Sequence, residues 1–196
     1  MEILHKTDAF VVCIKPVGLD AESECPARLK EMLGGEIFTL HRLDKNVGGV
    51  MVYARTKQAA ASLSRAIQEG TMVKEYLAWV QGVVEEEGVM EDFLFKDARK
   101  NKVFVVKKKR AGVKDAKLSY LRLKTDERQN SLVQVRLYTG RSHQIRVQFA
   151  SRKHPLLGDH KYGARDDHSS PLLFSFRIAF PWQGETLTFS ALPPWA

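Results

Sequence analysis

Cysteine is scarce in this sequence: only Cys13 and Cys25 occur among 196 residues, and they form no CxxC pair. That excludes a disulfide framework, and a reduced, cytoplasmic setting is the simplest reading. No apolar run approaches the roughly 20 residues that a bilayer span needs, which excludes a membrane-crossing helix. The N-terminus, MEILHKTDAF, has no basic region followed by a long apolar core, so no secretory signal is read there. Internal repeats, low-complexity tracts and Pro/Gly/Ser-rich linkers are missing too. A single domain over residues 1–196 is therefore expected.

Acidic residues are lacking where basic ones are densest. The chain has a net charge of +8, but residues 96–124 alone carry +10, with only Asp97 and Asp115 against twelve Lys or Arg. Residues 128–165 set eight basic residues against Asp159 alone, whereas the first 95 residues are acidic. Such segregation fits a polyanion partner better than a general solubility requirement. The alternative is a solvated lysine-rich hairpin with no partner.

Short runs rich in Val, Ile, Phe, Tyr and Leu predict strands at Phe10–Ile14, Gly49–Arg55, Met72–Val80, Lys102–Val106, Leu118–Leu123, Leu132–Leu137 and Leu172–Phe180. Three helices are expected. Thr56 caps Lys57–Glu69 with Gly70 as its stop, Thr139 caps Arg141–Arg152 ahead of Pro155, and a shorter helix over Pro26–Leu33 closes at Gly34-Gly35. The order lacks a steady βαβ rhythm, so the fold class is α+β, with a mainly antiparallel mixed sheet flanked by helices.

Two clusters could carry chemistry. His41-Arg42-Leu43-Asp44 precedes Lys45-Asn46-Val47-Gly48-Gly49 and an apolar strand. The glycines permit a sharp turn and a close approach, which suits a carboxylate presented in a cleft; a surface turn with an ion pair is the plainer reading. The second cluster is Tyr138-Thr139-Gly140-Arg141-Ser142-His143-Gln144-Ile145-Arg146, continuing to Gly158-Asp159-His160-Lys161-Tyr162-Gly163. A helix beginning near Thr139 would aim free N–H groups beside Arg141 at a phosphate. His143 and Arg146 would share one face of that helix, with Arg146 free to meet a carboxylate from elsewhere. The alternative makes them the solvated side of an amphipathic helix. The histidines His143, His154, His160 and His168 with Asp159, Asp166 and Asp167 raise the thought of a metal enzyme, but their spacings match no compact ligand motif and no metal is expected.

HRLD at 41–44 with its glycine tail, Lys74-Glu75-Tyr76-Leu77-Ala78, and TGRSHQIR at 139–146 resemble the RluA-type pseudouridine synthases. So do Lys15-Pro16-Val17-Gly18-Leu19, HPLLGDHKYG at 154–163 and Ala191-Leu192-Pro193. These motifs occur in the family's order over roughly residues 10–193. The resemblance implies the pseudouridine synthase fold, with a catalytic cleft across the sheet, and isomerisation of specific uridines in ribosomal or transfer RNA without cofactor. It implies a short form with no room for the separate N-terminal S4 RNA-binding domain that many relatives carry; a monomer is expected.

By the same resemblance Asp44 is the catalytic aspartate, Arg146 its cationic partner and Tyr76 the ring that lies against the target base. A carboxylate in a dry pocket tends to take up a proton, and a nearby arginine opposes that. Arg42 would contact RNA where the nucleotide has been extruded, at a cost of a few kcal/mol. His41, Arg141, His143, Lys161 and Tyr162 are further candidates for RNA contacts or site scaffolding. Lys107, Lys108, Lys109 and Arg110, in a basic hairpin or insertion at about 96–124, are expected to grip phosphates. The chain departs from the family where Val47-Gly48-Gly49 replaces Thr-Ser-Gly, losing two hydroxyls, and where Pro171-Leu172 replaces Leu-His. An alternative is a catalytically weak or inactive protein of the same fold that binds or remodels RNA.

Overall fold

Strand β4 (Gly48–Ala54) is buried along its whole length, and the first of two compact units is built around it. The structure is a computed structural model describing residues 1–196. Its fold is α+β, with eleven strands and three α-helices. The first unit joins Met1–Lys74 to Phe174–Ala196, and the second is Glu75–Leu173.

In the first unit the strand order is β1 (Glu2–Lys6), β2 (Phe10–Lys15), β4, β10 (Leu173–Trp182), with β3 (Phe38–Thr39) on β4 and β11 (Glu185–Ser190) on β10. β2 and β4 pair antiparallel, whereas β4 and β10 run parallel, so the sheet is mixed. Val12, Val50 and Val52 alternate along β2 and β4. With Phe10, Ile178 and Phe180 they pack on Leu63, Ala66 and Met72 to form the main core. Leu63 and Ala66 come from helix α2 (Lys57–Gln68), whose N-terminus is closed by the Thr56 hydroxyl accepting the Ala59 N–H at 3.1 Å, as expected. Burying each such large apolar side chain contributes about 1.5–3 kcal/mol. Helix α1 (Glu24–Leu33) starts two residues before the predicted Pro26 and stops at Gly34, which adopts a positive φ of 68°.

The second unit orders its strands β5 (Val73–Val80), β9 (Ser131–Leu137), β8 (Val113–Thr125), β6 (Glu87–Asp97), β7 (Lys102–Val106). β6 pairs antiparallel with both β7 and β8, and β8 with β9. The +10 segment is therefore mostly strand: the end of β6, all of β7 and most of β8, with exposed Lys107, Lys108, Lys109 and Arg110 in the intervening loop. Leu94, Val103 and Ala116 turn one face of this sheet onto Val147 of helix α3 (Gln144–Ser151).

Candidate active site

Asp44 lies in the loop between β3 and β4, half-buried, and the backbone on either side of it is tied down. The Val47 N–H donates to the Asp44 carbonyl at 2.9 Å, and the Gly18 N–H to the Lys45 carbonyl at 2.8 Å. Beneath the loop Lys15 is wholly buried, and its ammonium donates to the carbonyls of Pro16 (3.0 Å), Leu19 (2.7 Å) and Lys45 (3.2 Å). Three carbonyls thus satisfy a charge that would otherwise be costly to bury. Desolvation pushes the Lys15 pKa down, and the negative charges that oppose this include Asp44. Lys15 was legible only as part of a motif; its function as the tie beneath the Asp44 loop appears in the structure.

The glycines after Asp44 also have a specific use. Gly49 adopts φ 132° and pairs with Ser175 of β10, and a Cβ there would sit 2.4 Å from the Ser175 carbonyl oxygen. The close approach foreseen from sequence is therefore that of a neighbouring strand. The Ser175 hydroxyl adds a hydrogen bond to the Val50 carbonyl at 3.1 Å.

The other HRLD polar residues point different ways. His41 accepts the Val52 N–H on Nε2 at 3.3 Å, which leaves the proton on a buried Nδ1. Burial, helped by the charge of Lys74, drives its pKa down to about 3, so the ring is neutral and braces β4. Arg42 is exposed and paired with Glu22 at 2.7 Å.

In the second unit Tyr76 is buried on β5, and Arg146 is buried on α3. Arg146 donates side-on to Asp159, Nε to Oδ2 at 2.6 Å and Nη2 to Oδ1 at 2.8 Å. Its guanidinium also lies 5.2 Å from the ring centre of Tyr162. The Tyr162 hydroxyl accepts the Val103 N–H at 2.9 Å and lies 2.8 Å from His143 Nδ1. Arg146, His143 and Tyr162 are thus brought together, while Lys161 is exposed beside them. Asp159 was visible in the sequence as a motif letter and as one of the acids weighed for a metal site, never as a partner of Arg146. Nothing in a thirteen-residue spacing signals that it clamps Arg146.

The predicted start of the third helix needs correction. α3 begins at Gln144, and its N-cap is His143 in the left-handed region at φ 52°. Thr139 does not cap it; its hydroxyl donates to Gln144 Oε1 at 2.7 Å, and that oxygen also accepts the Arg141 N–H at 3.1 Å. Gln144 Nε2 donates to the Lys117 carbonyl at 3.1 Å. The Arg141 amide, expected among those that receive phosphate, is therefore spent on a glutamine-latched loop, and the Arg141 side chain donates through Nε to the Asp115 carbonyl at 2.8 Å.

The histidines weighed as metal ligands have other partners. His154 Nδ1 meets the Gln81 carbonyl, His160 the carbonyls of Ala164 and His168, and His168 the Asp166 carboxylate. No group of three or more His, Cys, Asp or Glu side chains is arranged to hold a metal ion. No helix is long and apolar enough to cross a membrane.

Comparison with known proteins agrees with this construction. The family model described as RNA pseudouridylate synthase matches residues 3–151. Ribosomal large subunit pseudouridine synthase D of Vibrio cholerae is 36% identical over 177 residues, 84% of this chain and 53% of that protein. tRNA pseudouridine synthase C of Vibrio parahaemolyticus is 29% identical over 181 residues, 83% of this chain and 74% of that protein. The solved structure of human RNA pseudouridylate synthase domain containing 1 superposes with a TM-score of 0.86 at 23% identity, covering 100% of this chain and 84% of that one. The chain spans about half the length of several curated relatives that it matches. A family match across three quarters of the sequence, on a fold shared with solved members, gives the assignment: this chain belongs to the RNA pseudouridylate synthase family.

Proposed function

We propose that the chain isomerises uridine to pseudouridine in ribosomal or transfer RNA, with Asp44 as its catalytic carboxylate. The observation that carries this reading is the Asp44 loop, pinned from below by the buried Lys15 and from the side by Gly18, within an HRLD motif of a family match. A carboxylate held in a fixed place costs little reorganisation when it acts. The reaction breaks the bond from ribose C1′ to N1 of uracil and forms one from C1′ to C5. N1 gains a proton and the C5 proton leaves, so atoms and electrons balance without an oxidant, reductant or organic cofactor. Asp44 serves as nucleophile or as the base for a ribose proton; both need it ionised.

Tyr76 presents a flat ring for the uracil, a stacking typically worth about 1–3 kcal/mol. Arg146, its geometry fixed by Asp159, is the cation assigned to partner the catalytic carboxylate, since a nearby positive charge favours the ionised form. Arg42, Arg141, His143, Lys161 and Tyr162, with the Lys107–Arg110 loop, bind and position the RNA. A monomer working in the cytoplasm is part of this reading. Tritium at uridine C5 tests it: incubation with labelled ribosomal or transfer RNA transcripts should release tritium to water in step with pseudouridine formation. Binding without release would support the inactive alternative instead.

A further inference from the structure

The sheet of the second unit has two faces, and only one is covered by a helix. Leu94, Ala116 and Val103 face α3, and Tyr120 on the same side of β8 stacks edge-on against Phe149 of that helix at 5.3 Å. Residues opposite one another in antiparallel strands share a face. The register pairs Phe95 with Phe104, Phe93 with Asp115, Glu91 with Lys117, and Ser119 with both Val89 and Arg136. These residues therefore lie on the uncovered side, where Val89 is 62% exposed and Phe104 36%. Tyr138, one residue past β9 and 50% exposed, joins them, because its hydroxyl reaches Ser119 Oγ at 3.3 Å.

Every aromatic ring on this face has a cation beside it. Lys109 lies 5.8 Å from the ring centre of Phe93 and Arg110 5.1 Å from that of Phe95, while Lys102, at the edge of the sheet, lies between Phe104 at 5.9 Å and Tyr162 of the helix-covered side at 5.2 Å. Tyr138 lies between Lys117 at 5.7 Å and Arg136 at 5.5 Å. Four carboxylates share the face: Glu91 pairs with Lys117 and Asp115 with Lys109, each at 2.7 Å, while Asp97 lies opposite Lys102 and Glu87 opposite Leu121. Five cations (Lys102, Lys109, Arg110, Lys117 and Arg136) against four carboxylates leave the face a small positive excess. An open antiparallel sheet bearing rings with cations alongside matches a polymer that alternates flat bases with phosphates.

We infer that this open face of the β9–β8–β6–β7 sheet is a second RNA-binding surface, on which single-stranded nucleotides flanking the target stack on Tyr138 and Phe104 while Lys117, Arg136, Lys102, Lys109 and Arg110 take the phosphates. It rests on the reading that RNA is the substrate, and adds where RNA outside the reacting nucleotide lies. Base stacking on aromatic rings tolerates any sequence, so the face contributes affinity without selecting the uridine.

The test uses a short fluorescein-labelled oligoadenylate RNA, which contains no uridine and so separates binding from catalysis. Fluorescence anisotropy on the full chain compares wild type with Tyr138→Leu, Phe104→Leu and the double variant, each checked by thermal unfolding. Leucine keeps the apolar contact and removes the ring face. Each single change should weaken binding about tenfold, with the salt dependence kept, because no cation is lost. Binding unchanged in the double variant overturns the inference, as does a wild type that does not bind the probe. Sedimentation supplies a further check: a wild-type dimer that the double variant dissociates would make this face a contact between copies and overturn the proposal. Tritium release from a uridine-containing transcript is followed separately. Ring-dependent binding without release leaves this surface standing while the proposed activity fails, and release with ring-independent binding does the reverse.

Discussion

Arg146 and Asp159 form a buried bidentate pair, with Nε–Oδ2 at 2.6 Å and Nη2–Oδ1 at 2.8 Å, and their side chains are only 6% and 1% exposed. The planar fork of the guanidinium is thereby fixed in direction as well as charge. Removing Asp159 takes both of these charge-assisted hydrogen bonds from a buried guanidinium. Asp159→Ala should cost about 3–5 kcal/mol of stability, measured by urea unfolding. Glu91→Gln, which breaks the exposed pair with Lys117, should shift the midpoint little. Equal midpoints for the two variants would refute a structural role for the buried pair.

Gly49 and Gly18 both have positive φ, yet their surroundings differ. A Cβ at Gly49 would meet the Ser175 backbone at 2.4 Å, whereas one at Gly18 meets nothing within 4 Å. Gly49→Ala must therefore push β4 and β10 apart at their parallel pairing and should leave little folded protein. Gly18→Ala carries only the conformational strain, about 1–2 kcal/mol. Circular dichroism and thermal unfolding of the two variants make the comparison.

His41 gives stability a dependence on pH with a definite sign. Its folded pKa, down at about 3, lies below the ordinary value of 6.5 because burial opposes the charge and Lys74 adds to the effect. The stabilisation is fully present above pH 6.5. As pH falls from there toward 3, the unfolded chain takes up a proton that the native chain refuses, and the advantage is lost at up to about 1.4 kcal/mol per pH unit. Protonation would also set Nε2–H against the Val52 N–H. His41→Gln lacks this titration, so the stability gap between wild type and variant should narrow between pH 7 and pH 5 in urea unfolding. Parallel pH profiles would contradict the assignment.

The loop Lys107–Arg110 should reveal itself through salt. Single-stranded RNA binding weakens with a slope of roughly −0.7 in log affinity per neutralised phosphate. Replacing Lys107, Lys108, Lys109 and Arg110 with glutamine should flatten that slope by one or more such steps. An unchanged slope would show that the loop does not hold phosphates.

What the sequence disclosed, and what it hid, follows from the range of the interactions. Lys102–Val106 and the Thr56-capped α2 were legible because strand composition and capping act over a few residues. β6 (Glu87–Asp97) was missed, since three consecutive glutamates precede its apolar stretch and its partners lie far along the chain. β1 and β11 escaped for a related reason: they are short edge strands with mixed polarity. The start of α3 was misplaced because Thr139 has the chemistry of a cap, while Gln144 reached back to claim the same donors. Asp44, Tyr76 and Arg146 stood out through motifs. Their supports, Lys15 beneath the loop and Asp159 across from the arginine, depend on tertiary contacts that no local pattern encodes.

Asp44→Asn is the sharpest probe of Asp44 as the catalytic carboxylate, because it keeps the size of the side chain and removes its charge. Wild type and variant would be compared for tritium release from C5-labelled uridine in ribosomal and transfer RNA, with binding of the same RNA measured alongside. The variant should bind RNA as wild type does and release tritium at least a hundredfold more slowly, the usual order for loss of a catalytic group. Release at the wild-type rate would contradict that role for Asp44.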